Sequence, residues 1–255
     1  KLTTRKNYTN SIIVALMTQE DKYKDTLTAY KEYLATILTD YNEMVATQTK
    51  SKKENDNWIS MADLKKIVNK HKKNIKELDL DKKDSWTKSE KQLYQMYMVG
   101  VLYTEYPPLR NDYSNMDIIT EANFKKLKKK ENNFLVIVSR NKKYFSLSSY
   151  KTDKKFGDKI IEIDSKLNTI INRWLAHNNT GFFLVNSKNT SLSDNSLTKL
   201  LNKIFASSKK KISSTLIRHV YLTEKYEAAQ EQMEEDANLM GHSVSTQQSI
   251  YVKRD

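Results

Sequence analysis

The chain of 255 residues contains very few helix-interrupting residues: two adjacent prolines, Pro107 and Pro108, and four glycines. Proline lacks a backbone donor, and glycine costs about 1 kcal/mol relative to alanine inside a helix. A chain with so few of them is expected to be rich in helices. One apolar helix, through Tyr94, Met98 and Leu102, is predicted to end before the proline pair, because a residue that precedes proline disfavours the helical conformation.

Apolar residues at steps of three and four predict further amphipathic helices. The second of these carries Tyr23, Leu27 and Tyr30 on one face. Helical patterns or apolar helical runs lie at 11–17, 23–41, 61–68, 166–176, 194–205, from Ser213 onward, and in a final stretch up to Gly241. Candidate N-caps are Ser60, Thr87 or Ser89, and Ser193.

Residues 134–163 have a different character, with short β-rich runs separated by polar turns. The runs FLVIVS, KYFSLSSY and KIIEI predict a three-stranded antiparallel sheet. Gly157 is expected to supply a positive φ in the last turn, which also holds Lys151. The predicted fold class is therefore mainly α with a small antiparallel three-stranded sheet (α+β).

A polar, charged stretch at 47–57 (TQTKSKKENDN) has no apolar periodicity and is typical of a linker. It predicts a small helical N-terminal domain at 1–50, a linker at 51–57 and a second domain at 58–255.

The composition and charge of the chain indicate which kinds of ligand and partner it can bind. The net charge of +13 and a pI near 9.5 favour a polyanion. There is no cysteine, the four histidines show no close metal-ligand spacing, and no P-loop pattern occurs. No apolar run approaches the roughly 20 residues of a membrane span, so no membrane partner is expected.

The last forty residues carry the strongest chemical signal. Arg218 lies in an apolar helical pattern (TLIRHVYLT), His242 follows Gly241, and Tyr251 comes nine residues after that histidine. Arginine and histidine are suited to holding a phosphate, and tyrosine to attacking one. A capping box at Ser245-x-x-Gln248 predicts that Tyr251 lies about two turns into a short helix.

This pattern resembles the C-terminal signature of the tyrosine recombinases (phage-type integrases), and the resemblance covers residues 58–255. It implies a catalytic set of Arg110, Lys151, Arg218, His242 and Tyr251. Residues 1–50 are similar only to half of the family's core-binding domain, which implies a DNA-binding role.

Two positions depart from the family pattern. Pro107-Pro108-Leu109-Arg110 stands where a Thr-Gly-Leu-Arg turn is more common, and Thr215 stands where His or Lys is common. Thr215 could still donate a hydrogen bond to a phosphate, and His219 matches a family residue that is more structural than catalytic. Near Lys151, three further lysines compete for its role: Lys154, Lys155 and Lys159.

The resemblance implies an enzyme of a virus or mobile element that cleaves and rejoins DNA through a 3′-phosphotyrosyl link, with no cofactor, metal or ATP. It implies double-stranded DNA and Holliday junctions as partners, and a homotetramer on DNA that is a monomer or dimer when free. Two basic runs either face solvent or contact DNA phosphates. Their lysines are Lys65 and Lys66 in the first run and Lys209, Lys210 and Lys211 in the second. The alternatives are a type IB topoisomerase and a basic DNA-binding protein without chemistry.

Overall fold

The computed structural model describes residues 1–47 and 49–248, except for the side chain of Ser245. The chain divides into two compact units, Lys1–Asn55 and Asp56–Asp255. The division falls within the predicted linker, but part of that segment is helical, as α3 (Lys52–Asn57). The roles assigned to the two parts stay predictions.

The first unit contains α1 (Leu2–Met17), α2 (Lys24–Ala46) and, up to its boundary at Asn55, the first residues of α3. Their small core includes Ile13, Leu27 and Ile37, each less than 10% exposed. Helices at both predicted positions are confirmed.

The second unit is built around a helix that is buried on every side. Residues 94–104 of α5 are all buried, which is typical of the central element of a core. At Gly100 an added Cβ would lie 2.7 Å from Val68 Cγ2, so the glycine allows α4 to approach α5 closely. The helices of this unit after α3 are α4 (Met61–Glu77), α5 (Lys88–Thr104), α6 (Glu121–Lys125), α7 (Asp153–Phe156), α8 (Ser165–His177), α9 (Asp194–Ile204), α10 (Ser214–Leu239) and α11 (Val244–Thr246).

Side-chain caps begin most of the longer helices. Ser60 and Ser193 are N-caps, as predicted. Of the two candidates for α5, Thr87 is the cap, and it forms a complete capping box with Glu90. The capping box predicted at Ser245 is wrong: the cap of α11 is Ser243, whose hydroxyl accepts the Thr246 N–H, so this helix begins two residues earlier.

The sheet has four strands rather than the predicted three. Its order is β1 (Asp117–Thr120), β2 (Phe134–Ile137), β3 (Lys143–Leu147) and β4 (Lys159–Glu162). β2, β3 and β4 pair antiparallel, but β1 pairs parallel to β2, with Asp117 opposite Phe134. A mainly helical fold with a small sheet is therefore confirmed, and the sheet is mixed rather than purely antiparallel.

The two helical stretches expected after Ser213 form one helix of 26 residues, α10. It ends at Leu239, and Gly241, the residue after the C-cap Met240, has a φ of 72°, the left-handed conformation that commonly follows a helix end. Within the described residues, no helix has both the length and the apolar character that crossing a bilayer requires.

Candidate active site

A cavity of about 580 Å³ lies where several distant segments of the second unit meet. The loop after α5 and the connection after β3 form part of it, and the first residues of α9 and α10 also line it. Helix N-termini carry partial positive charge, so two of them at one cavity favour an anion. The lining residues are Arg110, Asn111, Asp112, Ser114, Asn115, Asn132, Asn133, Ser149, Tyr150, Lys151, Asp153, Asp194, Ser214 and Thr215.

Arg110 is held by its backbone at both sides. Its carbonyl accepts a short hydrogen bond from the hydroxyl of Tyr103, a fully buried residue of α5. Its N–H donates to Asp112 Oδ2 at 3.2 Å. Because these two hydrogen bonds fix the backbone of Arg110, its half-buried side chain extends from a fixed point beside the cavity.

Arg218 lies on α10, almost one turn after Thr215, and is half-buried. Burial, and then the positive charge of Arg110, lower the pKa of its guanidinium. Burial raises the pKa of Asp112, while the Arg110 N–H and the two guanidiniums act in the opposite direction. Two cations held close together in a partly buried place repel each other, and a bound anion would relieve that cost.

The side-chain amides of half-buried Asn111 and buried Asn133 connect the segments that form this site. Asn111 accepts from Ser214 Oγ at 2.9 Å, which ties the Arg110 loop to the start of α10. Its amide nitrogen donates to the Asp194 carbonyl at 3.3 Å and thereby reaches the start of α9. Asn133 donates to the Asp112 carbonyl at 3.0 Å, so it holds the same loop from the opposite side.

Asn133 also fixes the chain that leads to Lys151. Its side-chain oxygen accepts from the N–H groups of Ser148 and Ser149, at 3.1 and 2.9 Å. Sequence reasoning missed Asn111, Asp112, Asn133 and Ser214. Of these, Asn111 and Asp112 could have been found only by their position directly after Arg110.

Lys151 is exposed and lines the cavity, between β3 and α7. The competing lysines are placed differently. Lys159 Nζ lies 4.9 Å from the centre of the Tyr150 ring, and Lys155 Nζ lies 5.4 Å from that of Phe156. Of the four lysines Lys151, Lys154, Lys155 and Lys159, Lys151 alone is among the residues that line the cavity.

His242 lies away from this cavity. Its N–H donates to the Ala237 carbonyl at 3.0 Å, just beyond the end of α10. Ala237 and Arg218 are nineteen residues apart on one helix, which corresponds to about 30 Å at a rise of 1.5 Å per residue. Tyr251 lies outside the described residues. Arg110, Lys151 and Thr215 thus line one cavity, Arg218 lies near Arg110 without being among the lining residues, and His242 lies away from the cavity.

The remaining predicted residues are spread over the surface. Thr215 and His219 are both exposed on α10. Lys65 is exposed on α4, where Lys66 forms an exposed ion pair with Asp63 at 2.9 Å. In the basic run at Lys209, Lys210 and Lys211, Lys210 Nζ donates to the Asp56 carbonyl at 3.3 Å.

Among residues 1–47 and 49–248, no group of three or more His, Asp or Glu side chains is arranged to hold a metal ion. No family model matches the sequence, and no curated protein or solved structure matches the chain.

Proposed function

We propose that the chain is a tyrosine recombinase that cleaves and rejoins DNA, and that the cavity at Arg110 binds the phosphate at which it acts. One observation carries this proposal. Arg110 and Lys151 come from distant segments and line one cavity, and Arg218, on a third segment, lies near enough to Arg110 for the charge of Arg110 to lower its pKa. The lining also contains three carboxylates, Asp112, Asp153 and Asp194, so the argument for an anionic ligand rests on the two neighbouring guanidiniums of Arg110 and Arg218.

The two guanidiniums would hold the phosphate. A phosphodiester resists attack because its negative charge repels nucleophiles. Arg110 and Arg218 would neutralise the non-bridging oxygens, and their hydrogen bonds would strengthen as charge builds on phosphorus in the transition state. Thr215, which lines the same cavity, would add a hydroxyl donor.

Tyr251 would be the nucleophile and Lys151 the general acid. The phenol would release its proton to water as its oxygen forms a bond to phosphorus and the bond to the 5′-oxygen breaks, which leaves a 3′-phosphotyrosyl link. Lys151 would give its proton to the departing 5′-oxygen, because an ammonium can lose a proton where a guanidinium cannot. Religation reverses these steps, so the bond energy is conserved without a metal or ATP.

Double-stranded DNA would be the main partner, with recombination through a Holliday junction by a homotetramer on DNA. The net charge of +13 supports a polyanionic partner. Exposed Lys65, Lys66, Lys209 and Lys211, with half-buried Lys210, would contact the phosphate backbone. Affinity should therefore fall steeply with salt concentration.

The test uses a suicide DNA substrate, whose cleaved end diffuses away and traps the covalent adduct. We expect an adduct with the wild-type protein and none with Tyr251→Phe. Arg218→Ala should lower adduct formation by about 100-fold or more, the usual effect of removing one charge-stabilising donor, while DNA affinity changes little.

The matched control is Arg140→Ala, because Arg140 is exposed on the turn between β2 and β3 and carries the same charge. This control should form the adduct at the wild-type rate. Normal cleavage by Arg218→Ala would contradict the phosphate clamp. Absence of any adduct with wild-type protein would leave a DNA-binding protein without chemistry, and relaxation of supercoils without strand exchange would identify a topoisomerase.

A further inference from the structure

A second cavity, of about 1050 Å³, lies at the end of the sheet opposite the candidate active site. Helices α4, α5 and α8 and the turn between β2 and β3 form most of its wall, and we call it the α4–α8 cleft. Because β2, β3 and β4 pair antiparallel, the turn before β3 and the connection after it, which carries Lys151, lie at opposite ends of the sheet. The cleft is therefore separate from the Arg110 cavity, and cleavage at that cavity does not involve it.

Positive charge dominates the wall of the α4–α8 cleft. Its charged lining residues are one carboxylate and five cations: Asp81, Lys72, Lys76, Arg140, Lys166 and Arg173. Two of these cations have an acidic neighbour, since Lys166 Nζ lies 3.4 Å from Glu105 Oε2 and Arg173 Nε lies 3.9 Å from Asp81 Oδ1. The other three form no ion pair with any residue that the structure describes. Lys72 and Lys76 are also one turn apart on α4, a spacing at which like charges destabilise a helix, and a bound anion would relieve that repulsion.

A buried ammonium group lies directly behind this wall. Lys143 is 3% exposed, and its Nζ donates to the side-chain oxygens of Asn168 and Asn172 at 2.8 and 2.6 Å. It also donates to the Arg140 carbonyl at 2.8 Å, and that carbonyl accepts from the amides of both asparagines, which line the cleft. Burial, and then the charge of Arg140, lower the pKa of Lys143, and no described carboxylate pairs with it. Because its partners are neutral, the field of this buried charge adds to the preference of the cleft for an anion.

Apolar side chains form another part of the wall. Ile75 of α4, Tyr97 of α5 and Ile170 of α8 are mostly buried but contribute to the lining, and Leu175 is half-buried. Sites for small organic ligands commonly combine an apolar wall with a few polar groups that fix orientation, and their volumes are about 300–1,000 Å³. An inorganic anion would leave the apolar wall in contact with water. The cleft therefore fits a ligand that has both an anionic part and a ring.

We propose that the α4–α8 cleft binds a small organic polyphosphate of nucleotide size. Its phosphates contact Lys72, Lys76 and Arg140, and its ring packs against Ile170 and Leu175. Cations on three separate elements, α4, α8 and the turn between β2 and β3, match a chain of phosphates better than a single phosphate. The ligand takes no part in breaking or joining DNA strands, so this inference does not rest on the proposed function.

Isothermal titration calorimetry with ATP, in the presence of EDTA, tests this inference on the full chain. Lys72→Ala with Lys76→Ala removes two cations from the cleft and should weaken ATP binding by about tenfold or more. Lys70→Ala with Lys73→Ala is the matched control, because it removes the same charge from exposed positions of α4 that do not line the cleft. The control should change the affinity less than about twofold. Equal weakening by both double variants, or a wild-type protein that does not bind ATP at about 1 mM, would overturn the inference.

Two simpler ligands test the chemistry that the cleft recognises. Inorganic triphosphate should bind about tenfold more weakly than ATP or worse, because it has no ring to cover the apolar wall. Adenosine should also bind more weakly than ATP, because it has no phosphate for the cations. Equal affinity for triphosphate and ATP would show that the apolar wall contributes nothing, and would contradict an organic ligand.

Two other outcomes would place the bound anion or the cleft in a different role. If Arg110→Ala loses ATP binding while the Lys72 and Lys76 variant keeps it, ATP occupies the candidate active site and the inference is wrong. The inference is also wrong if a short DNA duplex displaces ATP and the same double variant loses affinity for that duplex, since the cleft would then contact DNA. These measurements need neither Tyr251 nor strand cleavage, so this inference and the proposed function can each fail while the other stands.

Discussion

Replacing Asn133 with alanine should loosen the connection between the two sides of the candidate site. Asn133 is 5% exposed and makes three hydrogen bonds, one to the Asp112 carbonyl and two from the N–H groups of Ser148 and Ser149. Each such bond contributes about 1 kcal/mol, and more when its partner is left buried and unsatisfied. Asn133→Ala should therefore lower the free energy of unfolding of the second unit by about 3 kcal/mol.

Tryptophan fluorescence during urea unfolding measures this loss in the second unit alone, because Trp58, Trp86 and Trp174 all belong to it. At a slope of about 2 kcal/mol per M, the midpoint should fall by about 1.5 M. The matched control is Asn132→Ala. Asn132 is exposed and donates one bond, to Asp117 Oδ2, so its replacement should change stability by less than about 0.5 kcal/mol.

The same change should also affect the chemistry. Without Asn133, the segment that carries Lys151 is no longer tied to the Arg110 loop, and a shift of about 1 Å in a catalytic group can cost about 100-fold in rate. Asn133→Asp keeps the acceptor for the two N–H groups but loses the donor, so it should fall between alanine and wild type. If Asn133→Ala unfolds and reacts like Asn132→Ala, the positioning role is refuted.

Two further changes test the core and a helix cap. Gly100→Ala should destabilise the second unit by about 1–2 kcal/mol, because the added methyl group would lie 2.7 Å from Val68 Cγ2. Adding Val68→Ala removes that clash and should recover part of the lost stability. A double-mutant cycle of urea unfolding measures this recovery. The hydrogen bond from Lys83, followed by those from Thr87, lowers the pKa of Glu90 to about 2 from an ordinary value of 4.5. That stabilisation is fully present above about pH 4.5 and is lost as the pH falls through about 2. Glu90→Gln should therefore lower the Tm clearly at pH 7 and much less at pH 2, and an equal difference at both would contradict this reasoning.

Much of the fold could be predicted because its signals are local. The capping box at Thr87 and the apolar spacing of α4, α8 and α9 are contained within single segments, and the structure confirms them. β1 was missed because Asp117–Thr120 has only four residues and no clear alternation. Its parallel pairing with β2 depends on a contact distant in sequence, which no local pattern reveals.

The C-terminal region shows a second reason why sequence patterns could not predict the whole structure. Ser243 and Ser245 both suit the cap of α11, and the choice between them depends on how the chain turns at Gly241. Sequence reasoning also did not show that the helix runs without a break from Ser214 to Leu239. The resemblance to tyrosine recombinases brought Arg110, Lys151 and Arg218 under consideration together. It could not identify Asn111 and Asn133, since asparagine is common in this chain and only tertiary contacts distinguish these two.

The amides of Asn111 and Asn133 are uncharged, and this has a practical consequence for experiments on the site. Hydrogen bonds between neutral groups are largely insensitive to ionic strength, whereas the attraction between lysine and backbone phosphate is screened within about 10 Å at 0.1 M salt. Raising the salt should therefore dissociate the proposed DNA partner from the surface without changing the alignment of the groups around the cavity. Ionic strength can thus serve as an independent variable that separates how tightly the protein holds a duplex from how well it reacts once one is bound.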